Sequence, residues 1–458
     1  MTYEQAIVYL DSFVNYERTH DPEAMREVTL ERMRRLCRRL GDPQRGFRSV
    51  VVAGTNGKGS TCAMLYSMLR ESPLRVGLYT SPHLLHLRER IRVWTAGSCE
   101  RRQGDDWIGE TELTAIIEQL QPILEGMRGG SAEGVPTYFE VLTAAAFVYF
   151  RRRQVEIAVL EVGLGGRLDA TNIVEQAVSV IAPIEMDHAD VLGSTLSAIA
   201  SEKAGIIKPN QAVLSAPQEA EAEEVLRGSC EAQGVPLFRC GQELAVRIQR
   251  HGFDGLQLFI AGLRGIYESL ELPMIGRHQA QNAALAVGAL ELLSSAGAPH
   301  SLVERGLAQV EWPGRIEVAH EVPLVLLDGA HNPHAAAALR ETLTELCQGR
   351  SLHLLIGMSA DKPVEEVGRV LSGLAVSATC TKSGHPRALE PAELAQRLSP
   401  FCADVHVIPD PLDAYTYLLN AVDPAEVIVV TGSLFLVGEL RAALRQSHIR
   451  SKRTAVEA

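Results

Sequence analysis

Between residues 49 and 217, short aliphatic runs alternate with longer stretches whose apolar positions recur three and four apart. "SVVVAG", "RVGLYT", "EIAVLEV", "AVSVIAPI" and "AVLSAP" read as buried strands. "STCAMLYSMLRE", "YFEVLTAAAFVYFRRR" and "LSAIASEKAG" read as helices between them. This alternation predicts a largely parallel sheet with helices on its faces. From about residue 236 to 275 the texture shifts to shorter alternating segments such as "LAVRIQR" and "GLQLFIAG", which predict antiparallel hairpins. "HQAQNAALAVGALELLSSAG" then predicts a helix that Gly297 is placed to end.

A second alternation starts near residue 316 with "PLVLLDG", "PHAAAALRETLTELC", "LHLLIGM" and "PVEEVGRVLSGL", and runs on to "EVIVVTG" and "LFLVGELRAALRQ". It has the makings of a complete, smaller α/β domain with a mainly parallel sheet. Pro313 and Gly314 break the pattern in "VEWPGR", so the division is expected between residues 1–311 and 312–458. The length of 458 residues agrees with two or three domains.

Composition acts mainly by exclusion. A chain that is 46% hydrophobic and 22% charged has ample core. The formal charge of −12 argues against a general nucleic-acid binder and for small-molecule chemistry. The arginine-rich stretch Arg32 to Arg39 lies on an amphipathic pattern marked by Met33, Leu36, Cys37 and Leu40, which reads as a solvated helix face. Eight cysteines are scattered without a C-x-x-C pair, as expected of reduced thiols in a cytoplasm. No apolar run reaches the roughly 18 residues of a membrane span, and the acidic, amphipathic N-terminus is unlike a signal peptide.

The candidate chemistry begins at "VVAGTNGKGSTC", residues 51–62. The common phosphate-binding loop is G-x-x-x-x-G-K-[ST]. Here Gly59 follows Lys58 and the hydroxyl arrives one residue late, at Ser60. A buried strand runs in and a helix runs out, so backbone N–H groups and the positive end of the helix dipole meet at the loop. The reading is a phosphate site of variant form. A strand ending in an acid is the usual partner of such a loop, and "IAVLEV" supplies Glu161, followed by the glycine-rich "GLGGRLDATN". His188, in "IEMDHADVLG", is either a ligand or a hydrogen-bonded structural histidine; Lys203, between Glu202 and Ala204, reads from the residues alone as a surface lysine.

These stretches, with "TSPHL", "RERIRV", "TYFEVLTAAAF", "RHQAQNAALA", "PGRIEV" and "DGAHNPHAAAAL" in the same order, closely resemble the folylpolyglutamate synthases, including bacterial enzymes that are also dihydrofolate synthases. The shifted hydroxyl is itself a trait of that family. The resemblance spans essentially the whole chain. It implies a P-loop, Mur-ligase-like ATPase domain followed by a smaller Rossmann-like glutamate ligase domain, with ATP between them. It also implies that Thr55, Asn56, Gly57, Lys58, Gly59 and Ser60 form the ATP loop, joined by Asn282, Arg315, Asp328 and His331. Ser60, Ser81, Glu161 and His188 match metal-site positions for Mg²⁺, two ions being expected. Lys203 matches a lysine that is carbamylated, and Thr137, Leu168, Asp169 and Ala170 match a pterin-binding region.

The implied reaction is ATP-dependent addition of L-glutamate to a folate through an acyl phosphate, with Lys58, Lys203, His188 and Arg315 as the catalytic set. Folate or dihydropteroate, L-glutamate and ATP are the expected partners of a cytoplasmic monomer. The chain has "VTLER" where the family often has "GLER", near the pterin site of bifunctional relatives, which sets glutamate chain extension ahead of the dihydropteroate reaction. Two other readings compete: a Mur-type amino-acid ligase acting on another carboxylate, and a non-catalytic ATP-binding module.

Overall fold

A computed structural model describes residues 1–444 except residues 20, 27, 96–103, 129–133, 295–296 and 372. Seven strands form the first sheet: β1 (Arg48–Ala53), β2 (Val76–Tyr79), β3 (Ile91–Trp94), β4 (Ile157–Glu161), β5 (Gln176–Ile181), β6 (Ala212–Ser215) and β7 (Leu237–Arg239). Their order is β3-β2-β4-β1-β5-β6-β7. All pairings are parallel except β3 with β2. Helices cover both faces, so β1, β2 and β4 are buried along their length apart from Arg48, rather than alternating.

One core lies between this sheet and the helices Tyr138–Arg152 and Glu110–Arg128, and contains Val51, Leu160 and Phe147. The other lies under the helices Lys58–Leu69 and His278–Leu293 and an antiparallel three-stranded sheet. That sheet is β8 (Ala245–Gly252), β9 (Gly255–Ala261) and β10 (Ile266–Leu272), in order β10-β9-β8. Every residue from Gly59 to Leu69 is buried, because sheet and helices enclose the loop's helix on all sides. The helix His300–Ala308 packs so closely that a Cβ on Gly306 would lie 2.3 Å from Met68 Cα.

The second sheet has order β11-β12-β16-β13-β14-β15, from β11 (Glu317–Glu321), β12 (Leu324–Leu327), β13 (Leu352–Ile356), β14 (Ala375–Cys380), β15 (Val405–Val407) and β16 (Val427–Thr431). It is parallel apart from β11. Its faces are covered by helices that include Pro333–Leu346 on one side and Pro411–Ala421 on the other.

Both sheets change winding direction, the first beside β1 and the second beside β12, and ligands of α/β sheets bind beyond the strand C-termini at such points. Those ends face one another across the same cleft. No helix among the described residues is long and apolar enough to cross a membrane.

Two expectations are corrected. β7 joins the parallel sheet through β6 rather than opening the hairpin region. The helix expected to reach Gly297 ends at Leu293, where Ser294 turns the backbone extended (φ −119°, ψ 130°), although Gly297 itself is left-handed (φ +81°).

Candidate active site

β1 delivers the chain into the loop Gly54–Gly57, and Gly57 caps the following helix with φ +83°. The left-handed φ favours glycine, and a Cβ there, 2.4 Å from Asn282 Oδ1, would also push the Asn282 amide aside. The loop is tied to the end of β5: Thr55 N–H donates to Pro183 O at 2.8 Å, and Thr55 Oγ1 donates to Glu185 O and accepts from Glu185 N, each at 3.0 Å. Lys58 Nζ curls back to donate to Gly54 O and Thr55 O, both at 3.1 Å.

Lys203 is buried, contrary to its reading as a surface lysine. Its helix, Leu196–Ala204, carries it under the loop, where Nζ donates to Gly54 O at 2.8 Å. Burial, then the nearby Lys58 charge, brings its pKa down to about 7.

Glu161 ends β4, accepts Ser81 N–H at 3.1 Å on Oε2 and turns Oε1 toward Gly59. Burial raises its pKa, against the pull of Lys58, the Ser81 amide and Arg315. Ser60 is buried one turn into the same helix. Across the cleft, Asp328 Oδ1 accepts Ala330 N–H at 2.9 Å and Oδ2 accepts Ile316 N–H at 3.0 Å. Those bonds hold the turn around Arg315, where Ile316 takes φ +49°, an unusual value for a β-branched residue. Burial lowers the Arg315 pKa, opposed by Asp328 and Glu161.

His188 and His331 stand where the two domains meet. Burial, then the Lys362 ammonium, brings both to about 4, so both are neutral at pH 7. His331 Nδ1 lies 2.9 Å from Gly329 O, which accepts its hydrogen and leaves Nε2 as the lone pair. Lys362 Nζ donates to Asp187 Oδ1 at 3.1 Å and lies 3.4 Å from His188 Nε2. Burial alone would raise Asp187, but Lys362, His188 and His331 hold its carboxyl well below the usual range.

Two cavities adjoin here. The smaller, about 280 Å³, is walled by residues 54–60, Glu161, Lys203, Asn282, Arg315, Asp328 and His331. The larger, about 510 Å³, runs past Thr137, Phe139 and the loop Gly163–Ala170 to Lys362, Arg387 and Phe435 of the second domain. Ser81, Pro82, His188, His331 and Leu434 line both. Within the larger one, Asp169 shapes the wall rather than presenting a free carboxylate: it accepts the N–H groups of Gly163, Leu164 and Thr171 and the Thr171 hydroxyl. Thr137 likewise caps its helix, accepting Glu140 N–H at 3.2 Å.

Residues 110–290 match the Mur ligase middle domain and residues 314–434 the Mur ligase, glutamate ligase domain. A dihydrofolate synthase/folylpolyglutamate synthase of Bacillus subtilis is 34% identical over 423 residues, covering 91% of this chain and 95% of its own. One of Mycobacterium tuberculosis is 36% identical over 445 residues, covering 92% and 91%. The chain belongs to the folylpolyglutamate synthase family. Among solved family members, M. tuberculosis folylpolyglutamate synthase complexed with ADP and AMPPCP superposes with a TM-score of 0.87 at 33% identity, covering 96% of this chain and 99% of that one. An Escherichia coli member in complex with DHPP and ADP gives 0.83 at 29%, covering 98% and 99%.

In this family member every residue singled out from sequence lines one or both cavities. Three polar groups at the domain junction were missed: Asp187, Asn332 and Lys362. Asp187 and Asn332 sit beside His188 and His331 in stretches already marked, so adjacency was the available signal. Lys362, in "MSADKP", had none.

Proposed function

We propose that this chain is an ATP-dependent ligase that adds L-glutamate to a folate through an acyl phosphate. The observation that carries the reading is the junction of the two cavities at Ser81, His188 and His331. A triphosphate seated on residues 54–60 and a folate in the larger cavity bring γ-phosphate and carboxylate together there. ADP and AMPPCP in the M. tuberculosis relative support the first assignment, and DHPP in the E. coli relative supports the second.

In the proposed reaction a folate carboxylate oxygen attacks Pγ, the Pγ–O bond to the β,γ-bridging oxygen breaks, and that oxygen leaves on ADP. The glutamate amine then attacks the acyl carbon, the C–N bond forms, and inorganic phosphate departs. Lys58 and Arg315 neutralise the charge that builds on the transferring group. The second domain contributes Lys362 and Arg387 to the same cavity, two cations suited to the carboxylates of incoming glutamate. Domain contact keeps water from the acyl phosphate. Relatives named for both activities support dihydropteroate as a second acceptor in this cavity.

The donor set fits Mg²⁺: the Glu161 carboxylate and the Ser60 and Ser81 hydroxyls are hard oxygen ligands, with His188 as a fourth candidate. Among the described residues no group of three or more His, Cys, Asp or Glu is placed to hold a metal. Held by these residues, the ion would supply neutralisation of phosphate charge. Lys203, near neutral at working pH, is suited to carry a carbamate. We place the domain division at residues 311–312 and the protein in the cytoplasm.

Isotope transfer tests the intermediate. Folate labelled with ¹⁸O in its glutamyl carboxylate is expected to deliver one label to released phosphate for each amide formed. Unlabelled phosphate accompanying normal amide formation contradicts the acyl phosphate.

A further inference from the structure

Asn332 is 2% exposed and joins three elements at once. Its Oδ1 accepts Ala335 N–H at 2.9 Å and so caps the helix Pro333–Leu346. That bond fixes which end of the amide is oxygen, and the Nδ2 group must then face the other way. There it donates to Asp187 Oδ2 at 3.2 Å and to Asn56 Oδ1 at 3.1 Å. Asp187 serves as the acceptor here, its Oδ1 also taking the Lys362 ammonium at 3.1 Å. Both hydrogens of Asn332 are therefore committed, and Asn56 can meet them only with its carbonyl oxygen.

The consequence falls on the glycine loop. With Oδ1 taken, Asn56 presents its Nδ2 on the opposite side. That nitrogen is buried and has no partner among the described residues, on a residue that lines the nucleotide cavity. A buried amide N–H₂ without a partner is costly, and an anionic oxygen is the strongest acceptor it can meet. Asn332 belongs to the second domain and Asn56 to the first, 276 positions apart. Among the described residues, Asn332 is the partner that orients the Asn56 side-chain amide.

We infer that Asn332 is a positioning residue that acts through Asn56. When the domains meet, it sets the Asn56 amide as a donor to a β- or γ-phosphate oxygen, so that the phosphate cradle is completed only in the closed enzyme. The inference rests on the proposed ATP site. It gives the second domain a direct part in assembling the phosphate loop.

The test is a double-mutant cycle on the full chain with Asn332→Ser, Asn56→Ala and the double variant, reading KM for ATP, kcat and Tm. Serine keeps a helix-capping oxygen but is too short to reach Asn56. Each single change is expected to raise KM for ATP about tenfold, the loss of one charge-assisted hydrogen bond. The double variant is expected to match the worse single one, with KM for folate nearly unchanged in all three. Multiplying effects, or a wild-type KM for ATP in Asn332→Ser, overturn the inference. If Asn332→Ser lowers Tm by more than about 5 °C, Asn332→Thr, which also caps and carries no amide, takes its place in the same cycle. Lys58→Ala separates the two levels. If it leaves ATP binding and turnover intact, the ATP-site reading itself fails. If it abolishes them while Asn332→Ser is silent, only the present inference fails.

Discussion

Lys58 and Lys203 converge on one carbonyl: their Nζ atoms donate to Gly54 O at 3.1 and 2.8 Å. Burial penalises the ammonium of Lys203, and repulsion from the Lys58 ammonium on the same acceptor adds to it, which brings Lys203 to about 7. Because this lies below the ordinary lysine value, the unfolded chain binds the extra proton between about pH 7 and pH 10. The cost of burying Lys203 is thus present in full below pH 7 and is relieved as pH rises. The same neutral amine is the form that captures carbon dioxide.

Lys203 is therefore expected to show a carbamate signal in ¹³C-bicarbonate NMR that grows between about pH 6 and pH 8. Lys203→Ala should remove the signal and cut kcat by about a hundredfold, with smaller change in ATP binding. Added short-chain carboxylic acids should restore part of the rate. Unchanged turnover in the alanine variant contradicts a catalytic part for this lysine.

Lys58→Ala should lower amide formation by about a hundred- to a thousandfold, because the lysine crosses the loop that faces the phosphates. Among the described residues its side chain bonds to loop carbonyls alone, so Tm should move little. Normal turnover by the folded variant removes the loop lysine from the mechanism.

Glu161 links metal dependence to pH. Burial raises its carboxyl, so as pH falls its proton competes with a cation earlier than at an ordinary carboxylate. The Mg²⁺ concentration for half-maximal rate should rise as pH is lowered, and chelation should stop turnover reversibly. Glu161→Gln should flatten that pH dependence while raising the requirement. A Mg²⁺ requirement independent of pH in the parent protein contradicts this use of Glu161.

Asp328→Ala leaves Ile316 N–H and Ala330 N–H buried without their acceptor. Each such orphan costs about 1–3 kcal/mol, so the second domain's unfolding transition should shift by about 2–4 kcal/mol in the full chain. KM for ATP should rise as the Arg315 turn loosens. Asp328→Asn, which keeps one acceptor, should lose less. Equal stability of parent and alanine variant contradicts a holding role for this carboxylate.

Much of this was legible in the chain. Parallel strands covered on both faces are continuous aliphatic runs, so β1, β4 and β16 stand out, and the glycines of residues 54–59 mark the loop that follows β1. Short edge strands were harder. β3 is four residues long and follows "RER", and its pairing with β2 is visible only in space. From its polar neighbours Ser201 and Glu202 alone Lys203 looks like a surface lysine, and only the family resemblance singled it out. Helical geometry turns it away from them and under Gly54. The contacts between Asn332 and Asn56, and between Lys362 and Asp187, span 276 and 175 positions, and no local pattern encodes partners that far apart. Sequence thus marked the residues of the two cavities, whereas the bonds joining them depended on how the two domains pack.

The central claim is that the two adjoining cavities couple ATP cleavage to amide formation on a folate. Purified protein should be given ATP, Mg²⁺ and labelled L-glutamate, with tetrahydrofolate or dihydropteroate as acceptor, while ADP, phosphate and labelled product are counted together. The account predicts one ADP and one phosphate for each glutamate joined, with ATP cleavage that requires both acceptor and glutamate. Steady ATP cleavage without an acceptor, or none with either acceptor present, contradicts it.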